Sequence, residues 1–369
     1  MSLPAKTLAF LVALSLSTLP AAAQTGNPGQ GQTGTPPAVD DDEAGDANIV
    51  PLRIGPVTLS GSAWLDSKFV TGNEGREENA FRVGRARLGL AGNVTPKIGW
   101  SLSGELTADS SVLRNAFLVF RFAEQFNVRM GQAAPPTALE RGTSPLLIEL
   151  IDRSRLTNQL TFRQDVGITV SNAAPFKQWV SYAISVVNGA GLNRPDDNNA
   201  KDVAVRLEVT PPALQGLTFN LSGGTGEQPG GRRTRTGAGV EYDSVRFRLM
   251  VEGLRQQADG AADRHGVVAI GVYRIRPRVV TTHFRLLELA ARYVVFTDPA
   301  AALATPAGPD EDGADSSVSG VPPRTTREIQ AGGNYYVNRN VRVMANIVMP
   351  LDARTTPDLT LLTRLQIVF

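Results

Sequence analysis

The chain has 369 residues, with 37 basic and 35 acidic side chains, two histidines and no cysteine. A formal net charge of +2 is too mild to argue for nucleic acid, and the missing cysteine excludes disulfides, thiolate metal sites and a cysteine nucleophile. His265 and His283 have no carboxylate cluster at ligand spacing, so the sequence carries no metal signature and implies no cofactor.

At the N-terminus, Lys6 precedes the apolar run Thr7 to Leu16, then Pro20 and the small-residue site Ala21-Ala22-Ala23. This reads as a secretory signal peptide over 1–23. The run is shorter than the ~20 residues a membrane helix needs. Residues 24–55 are rich in Gly, Pro, Gln and Asp, with Asp40, Asp41, Asp42, Glu43 and Asp46 close together. That composition cannot bury a core and predicts a disordered linker on the periplasmic side. Residues 56–369 are expected to form one barrel domain.

From Val57 the chain turns to short alternating runs separated by Gly, Pro, Asn and Asp. Sixteen strands are predicted, near 57–70, 80–92, 97–109, 112–122, 125–132, 162–171, 178–188 and 201–210. The rest lie near 216–224, 233–242, 245–256, 265–275, 284–297, 326–337, 340–350 and 360–369. In "ARLGLAG", Ala86, Leu88 and Leu90 share one face and Arg85 and Arg87 the other. In "VRFRLMVEG", Val245, Phe247, Leu249 and Val251 oppose Arg246, Arg248 and Glu252. In "VRVMANIVM", Val341, Val343, Ala345, Ile347 and Met349 oppose Arg342 and Asn346.

A soluble sandwich also alternates, so connection lengths must discriminate. Even-numbered connections such as "NVTP" (93–96), "DS" (243–244) and "NRN" (338–340) are short. Odd ones such as 72–79, 133–161, 188–201, 224–233 and 298–325 are long, and only "DSS" (109–111) in that set is short. That points to an all-β, transmembrane antiparallel barrel of about sixteen strands in the outer membrane of a Gram-negative bacterium. Its apolar stripes would face lipid and lipopolysaccharide. The terminal strand "LLTRLQIVF" must then close on the first, since hydrocarbon tolerates no open edge. Trp64, Trp100, Trp179, Tyr182, Tyr242, Tyr273, Tyr293 and Tyr335 are candidates for aromatic belts.

The fifth connection, 133–161, is the third external loop. Pro135-Pro136 opens it, and Leu146, Leu147, Leu150 and Ile151 recur at helical spacing around Glu149, Asp152 and Arg153. We expect one or two short helices there, with the loop folded into the lumen and its charged face narrowing the pore. Candidate pore-lining or constriction residues are Arg85, Arg87, Arg121, Arg129, Arg141, Glu149, Asp152, Arg153, Arg155, Arg163, Arg246 and Arg248. Arginine stays charged and offers a planar fork to phosphate or carboxylate. The alternative reading pairs these arginines with inward acids such as Asp66, Glu105, Asp165 and Glu252 to fix a polar wall.

Other motifs carry little. "GGTGEQPGG" (Gly223 to Gly231) lacks the Lys-Ser/Thr of a phosphate loop. No serine adjoins either histidine to suggest a barrel hydrolase, so no catalytic residue is assigned. Function is expected to be passive diffusion of small hydrophilic solutes with mild anion preference. The alternative is a plugged structural or adhesive barrel presenting its loops.

The stretches "GNYYVNRNVRVMANIVMP" (Gly333 to Pro350), "LLTRLQIVF", "VSYAISVVNGAG" (Val180 to Gly191), "KDVAVRLEVTP" (Lys201 to Pro211) and "LAARYVVF" (Leu289 to Phe296) resemble the phosphate-selective porin O and P family. The resemblance extends over roughly 57–369 and implies a sixteen-stranded homotrimeric porin whose third external loop enters the lumen. Phosphate-specific members carry a ladder of lumen lysines. Here the lysines are Lys6, Lys68, Lys97, Lys177 and Lys201, and Lys68 is the main lumen candidate.

Overall fold

The computed structural model describes residues 52–70, 80–106, 111–172, 179–196, 198–228, 231–277, 285–298, 324–352 and 359–369. The expected signal peptide, the linker as far as residue 51 and most of the 298–325 connection lie outside them. The strands are β1 (Leu52–Ile54), β2 (Val57–Val70), β3 (Ala80–Thr95), β4 (Ile98–Leu106), β5 (Ser111–Ala123) and β6 (Phe126–Ala133). Next come β7 (Asp165–Ser171), β8 (Val180–Val187), β9 (Asp202–Val209), β10 (Leu217–Gln228), β11 (Gly231–Asp243) and β12 (Phe247–Ala258). The last are β13 (Arg264–Ile275), β14 (Leu286–Asp298), β15 (Arg324–Tyr336), β16 (Val341–Pro350) and β17 (Thr360–Val368). Between β6 and β7 lie two short helices, α1 (Leu139–Gly142) and α2 (Arg155–Leu160).

All sixteen expected strands are present as β2 to β17. Each pairs antiparallel with its sequence neighbours, and β17 pairs with β2 from Thr360↔Val70 to Val368↔Ser62. The sheet is therefore a closed barrel. The short β1 folds back on β2, with Ile54 opposite Val57, so pairing begins inside the segment expected as linker. Gly55 makes the reversal at φ 61°, a left-handed conformation that glycine adopts without strain.

Closure continues past the last strand. Gly61 and Phe369 exchange backbone hydrogen bonds of 2.8 and 2.9 Å. A Cβ at Gly61 would come within 2.2 Å of Cζ of the Phe369 ring. The glycine thus makes room for the Phe369 ring where β2 and the end of β17 meet.

The faces divide as period-2 alternation requires. Leu88, Leu90, Leu249, Val251, Val343, Ile347, Leu361 and Ile367 are exposed on the outer surface. Asp66, Arg85, Glu105, Asp165, Arg248, Glu252, Glu288, Arg292, Arg342 and Arg364 are buried on the inner one. The outer aromatics Trp179, Tyr242, Tyr273, Tyr293 and Tyr335 are also exposed. Trp64 corrects its assignment: it is 3% exposed on the inner face, with the guanidinium of Arg85 4.1 Å from its ring and that of Arg364 at 3.9 Å. Strand parity already pointed it inward, and two flanking cations hold it there.

Two further differences concern the connections. β10 and β11 run through the glycine-rich stretch and leave only 229–230 between them, so the expected long loop at 224–233 is mostly strand. A Cβ at Gly224 would collide with the Val203 carbonyl and the Phe162 ring, and one at Gly226 with the Asp202 carboxylate, so these strand positions take glycine. In the third connection, the expected helix around 146–153 is irregular chain, with α1 and α2 on either side of it.

We expect Gly61→Val to obstruct the seam and lower the temperature at which the folded band is lost in heat-modifiable gel electrophoresis. Gly104→Ala, where a Cβ would meet only the Val112 carbonyl oxygen at 3.9 Å, should leave that temperature near wild type.

Candidate functional site

The irregular middle of the third connection is explained by where its backbone groups bond. Side chains of the inner wall take them one by one. The Leu146 carbonyl accepts from Gln366 Nε2 at 3.1 Å, and that of Ile148 from Arg342 Nη1 at 3.1 Å. The Glu149 carbonyl accepts from Asn334 Nδ2 at 2.8 Å, that of Ile151 from Arg364 Nη1 at 2.6 Å and that of Asp152 from Arg292 Nη1 at 2.6 Å. Ile151 N–H donates to Asn346 Oδ1 at 2.7 Å. A helix would claim these carbonyls for itself. Here β14 to β17 satisfy them, and the chain stays open.

The ends of the segment are pinned by two buried carboxylates. Glu252, on β12, accepts the N–H groups of Leu139 and Glu140 at the start of α1. Glu140 accepts from Ser154 N at 2.8 Å, and from the Ser154 and Thr157 hydroxyls, and pairs with Arg292 at 3.2 Å. Ser154 also caps α2 by accepting from Thr157 N. One carboxylate therefore ties α1, α2 and β14 together. Leu139, Leu150, Leu156 and Leu160 complete the attachment. They pack in one cluster with Met250, Leu254, Val268, Ile270, Val272, Val294 and Phe296 on the inner faces of β12 to β14.

Charge is distributed unevenly around the wall. On β3 to β5, three guanidiniums converge on Glu105: Arg87 at 2.8 Å, Arg85 at 3.2 Å and Arg114 at 3.7 Å. On the adjoining seam, Arg364 grips both oxygens of Asp66 at 2.7 Å, and Arg82 lies 3.9 Å from the same carboxylate. Toward β12 to β15 each of three arginines meets two acids. Arg248 holds Glu149 at 2.9 and 2.8 Å and Glu241 at 2.8 Å. Arg274 reaches Glu288 at 3.4 Å and Arg292 reaches Glu328 at 3.8 Å. Burial raises the Glu149 carboxyl above its ordinary range, against the pull of Arg248.

The residues chosen from sequence fall into distinct places. Arg85 and Arg87 join the Glu105 cluster. Arg129 donates to the Ala134 carbonyl at 2.8 Å, where the third connection leaves β6. Glu149 and Arg248 form one buried ion pair. Asp152 lies 3.6 Å from Arg364. Arg153 donates to the carbonyls of Glu140, Arg141 and Thr143, which end α1. Arg141 itself is part of that helix and half-buried. Arg155 lies 3.8 Å from Asp298 on β14, and Arg163 donates to the Asn158 carbonyl just before β7.

Two of the chosen residues lie elsewhere. Arg121 reaches the β3–β4 turn, donating to Pro96 O at 3.0 Å and Asn93 Oδ1 at 3.1 Å, at the rim away from the third connection. Arg246 is exposed in the turn before β12. Alternation gave both the right face in principle. It could not place them along the strand relative to the attached segment. Glu140, Ser154, Thr157, Asn334 and Gln366 were not foreseen, because nothing local marks an amide or hydroxyl as the partner of a distant backbone. Asn334→Leu and Asn346→Leu each strip a buried backbone group of its partner, a loss of about 1–3 kcal/mol. Limited proteolysis of the double variant should cut within 134–164 faster than in wild type, while the barrel core resists as before.

The model of the phosphate-selective porin O and P family matches residues 57–280. No curated relative matches the sequence. Among solved structures, the chain is similar to Salmonella typhi OmpF in complex with daunomycin, with a TM-score of 0.62 at 15% identity, covering 85% of this chain and 97% of that one. An anion-selective porin from Comamonas acidovorans gives a TM-score of 0.59 at 12% identity, covering 85% and 99%. The trimer form of OmpT, an outer membrane protein of Vibrio cholerae, gives 0.55 at 13% identity, covering 85% and 99%. Identities this low speak to the fold alone. The family match spans most of the chain and agrees with the closed barrel of sixteen paired strands. The protein belongs to the phosphate-selective porin O and P family of porins.

Proposed function

We propose that the protein is a passive channel of the Gram-negative outer membrane, letting small hydrophilic solutes diffuse with a mild preference for anions. The observation that carries this reading is the attachment of segment 134–164. It is pinned to β12–β17 through backbone groups and an apolar cluster, while arginines gather on β3–β5. In this reading the segment lies within the lumen as a fixed constriction, the short turns face the periplasm and the long connections face outward. Among the described groups, Arg82, Arg85, Arg87, Arg114 and Arg364 stand against Asp66, Glu105 and Asp152. That surplus lowers the barrier for an anion moving along the wall. Arginine rather than lysine keeps it charged at any working pH and matches carboxylate and phosphate equally, so phosphate is one permeant anion among several. No covalent step or cofactor is involved. The trimeric form named for the Vibrio neighbour and the anion selectivity named for the Comamonas porin support a homotrimer with anion preference.

Purified protein in planar bilayers should show steady ohmic conductance, with a reversal potential favouring chloride in a salt gradient. A closed baseline at every voltage would instead indicate a plugged barrel. Replacing Arg85 and Arg87 together by Glu reverses the local charge and should move the reversal potential to the cation side. Arg121→Glu, at the turn rim, should change it much less. Phosphate added to chloride should leave conductance without a tight block, as expected of a channel with Lys68 in place of a lysine ladder.

A further inference from the structure

The outer surface of β10 to β14 carries a groove of about 630 Å³, lined by Leu221, Ala238, Gly253, Val267 and Val295, with Thr236, Arg255, His265 and Thr297 along one side. Strand register explains its form. Leu221, Ala238, Gly253, Val267 and Val295 stand opposite one another in a single row across five strands. The two smallest members, Ala238 and Gly253, are adjacent and leave a trough between the bulkier Leu221 and Val267. The next outward row is Gly223, Thr236, Arg255, His265 and Thr297. Beyond it, Thr225, Thr234 and Gln257 follow. On the other side lie Phe219, Val240, Val251, Ala269 and Tyr293.

The outward face therefore passes from apolar to polar in one residue step. Arg255 and His265 face each other at that step, on the side of the long connections. An apolar-to-polar boundary on a lipid-facing barrel marks the level of the headgroups. Asp263 accepts from Arg255 Nε and Nη2. A guanidinium has five N–H donors, so Arg255 retains donors for a second anion beside that carboxylate. Arg327, whose partner is Asp352 at 3.0 Å, stands opposite Val295 and adds a third basic side chain at the edge.

We propose that this groove binds one acyl chain of a phosphate-bearing outer-leaflet lipid, with Arg255 and His265 holding the headgroup phosphate. The proposal rests on the outer-membrane reading above and names one lipid partner of the barrel. The trough lies between the bulkier Leu221 and Val267, and the basic pair lies at its polar side, where a chain would meet its head. A second protein copy would meet a recess at the centre of the contact and charged side chains on its border, which suits a flush interface poorly.

The test uses the full-length protein, folded in detergent, with bis-phosphorylated lipid A as probe. Retention through detergent exchange is read by native mass spectrometry. A Cβ at Gly253 would meet only the Gly266 carbonyl oxygen, at 3.9 Å, so Gly253→Leu fills the trough without disturbing the sheet. Wild type should retain lipid A, and Gly253→Leu should lose it. Arg255→Gln with His265→Gln should weaken retention roughly tenfold or more, and wild type should hold dephosphorylated lipid A as weakly. Equal retention by wild type and Gly253→Leu, or no dependence on the phosphates, would overturn the site. So would loss of the oligomer in Gly253→Leu with lipid unchanged, because the face would then be a subunit contact. Each sample is checked for heat-modifiable mobility and bilayer conductance. A conducting barrel that ignores lipid A defeats only this inference, whereas a lipid-binding barrel that never conducts defeats the channel reading.

Discussion

The pairing of β17 with β2 is the interaction on which the rest of the molecule depends. With it the barrel closes, and every strand from β2 to β17 finds both neighbours. In hydrocarbon each unpaired backbone group costs several kcal/mol, so an open version of the same sheet would not persist there. Closure also gives the sheet an inside. Only then can alternation put Leu249 and Val251 outside while Arg248 and Glu252 turn inward. The seam carries a second bond in Arg364, which is 1% exposed, grips Asp66 through two nitrogens and reaches across to the Ile151 carbonyl. A buried ion pair is tolerable only with such complete satisfaction. The residue that helps close the wall also holds the segment attached to it.

That segment behaves unlike an ordinary loop. Connections usually run over a surface because water satisfies their backbone. Here Gln366, Arg342, Asn334, Arg364, Arg292 and Asn346 take water's place, and Leu156 and Leu160 supply apolar contact. β13 turns Val268, Ile270 and Val272 inward, where they cluster with Leu156 and Leu160. A segment held at so many points along its length has few alternative positions.

The arginines divide by this attachment. Arg292, Arg342 and Arg364 spend their donors on the segment's backbone, and Arg248 on its Glu149. Arg85, Arg87 and Arg114 converge instead on a single carboxylate in another part of the wall. The first group fixes geometry and the second sets local charge. A lysine would serve neither task as well, having no planar fork to address two acceptors at once.

All sixteen strands could be read from the chain, because a two-residue period and turn residues are local properties that survive any arrangement. The inward or outward direction of most side chains followed from the same period. Helical spacing at Leu146, Leu147, Leu150 and Ile151 misled, since the wall outbid the helix for the carbonyls of that stretch. Trp64 was misplaced because its aromatic character suggested an interface, when the two-residue period that it shares with Ser62 and Asp66 already turned it inward, between two guanidiniums. Arg121 and Arg246 had the right charge but the wrong height, and height depends on strand stagger that no single strand encodes. The sequence by itself determined the barrel, its strand count and its two chemically opposite faces. Tertiary structure alone decided which arginines clamp and how the third connection is held, because those partners lie 99 to 220 residues apart and meet only when the ring is closed, while Arg85, Arg87 and Arg114 find Glu105 across neighbouring strands.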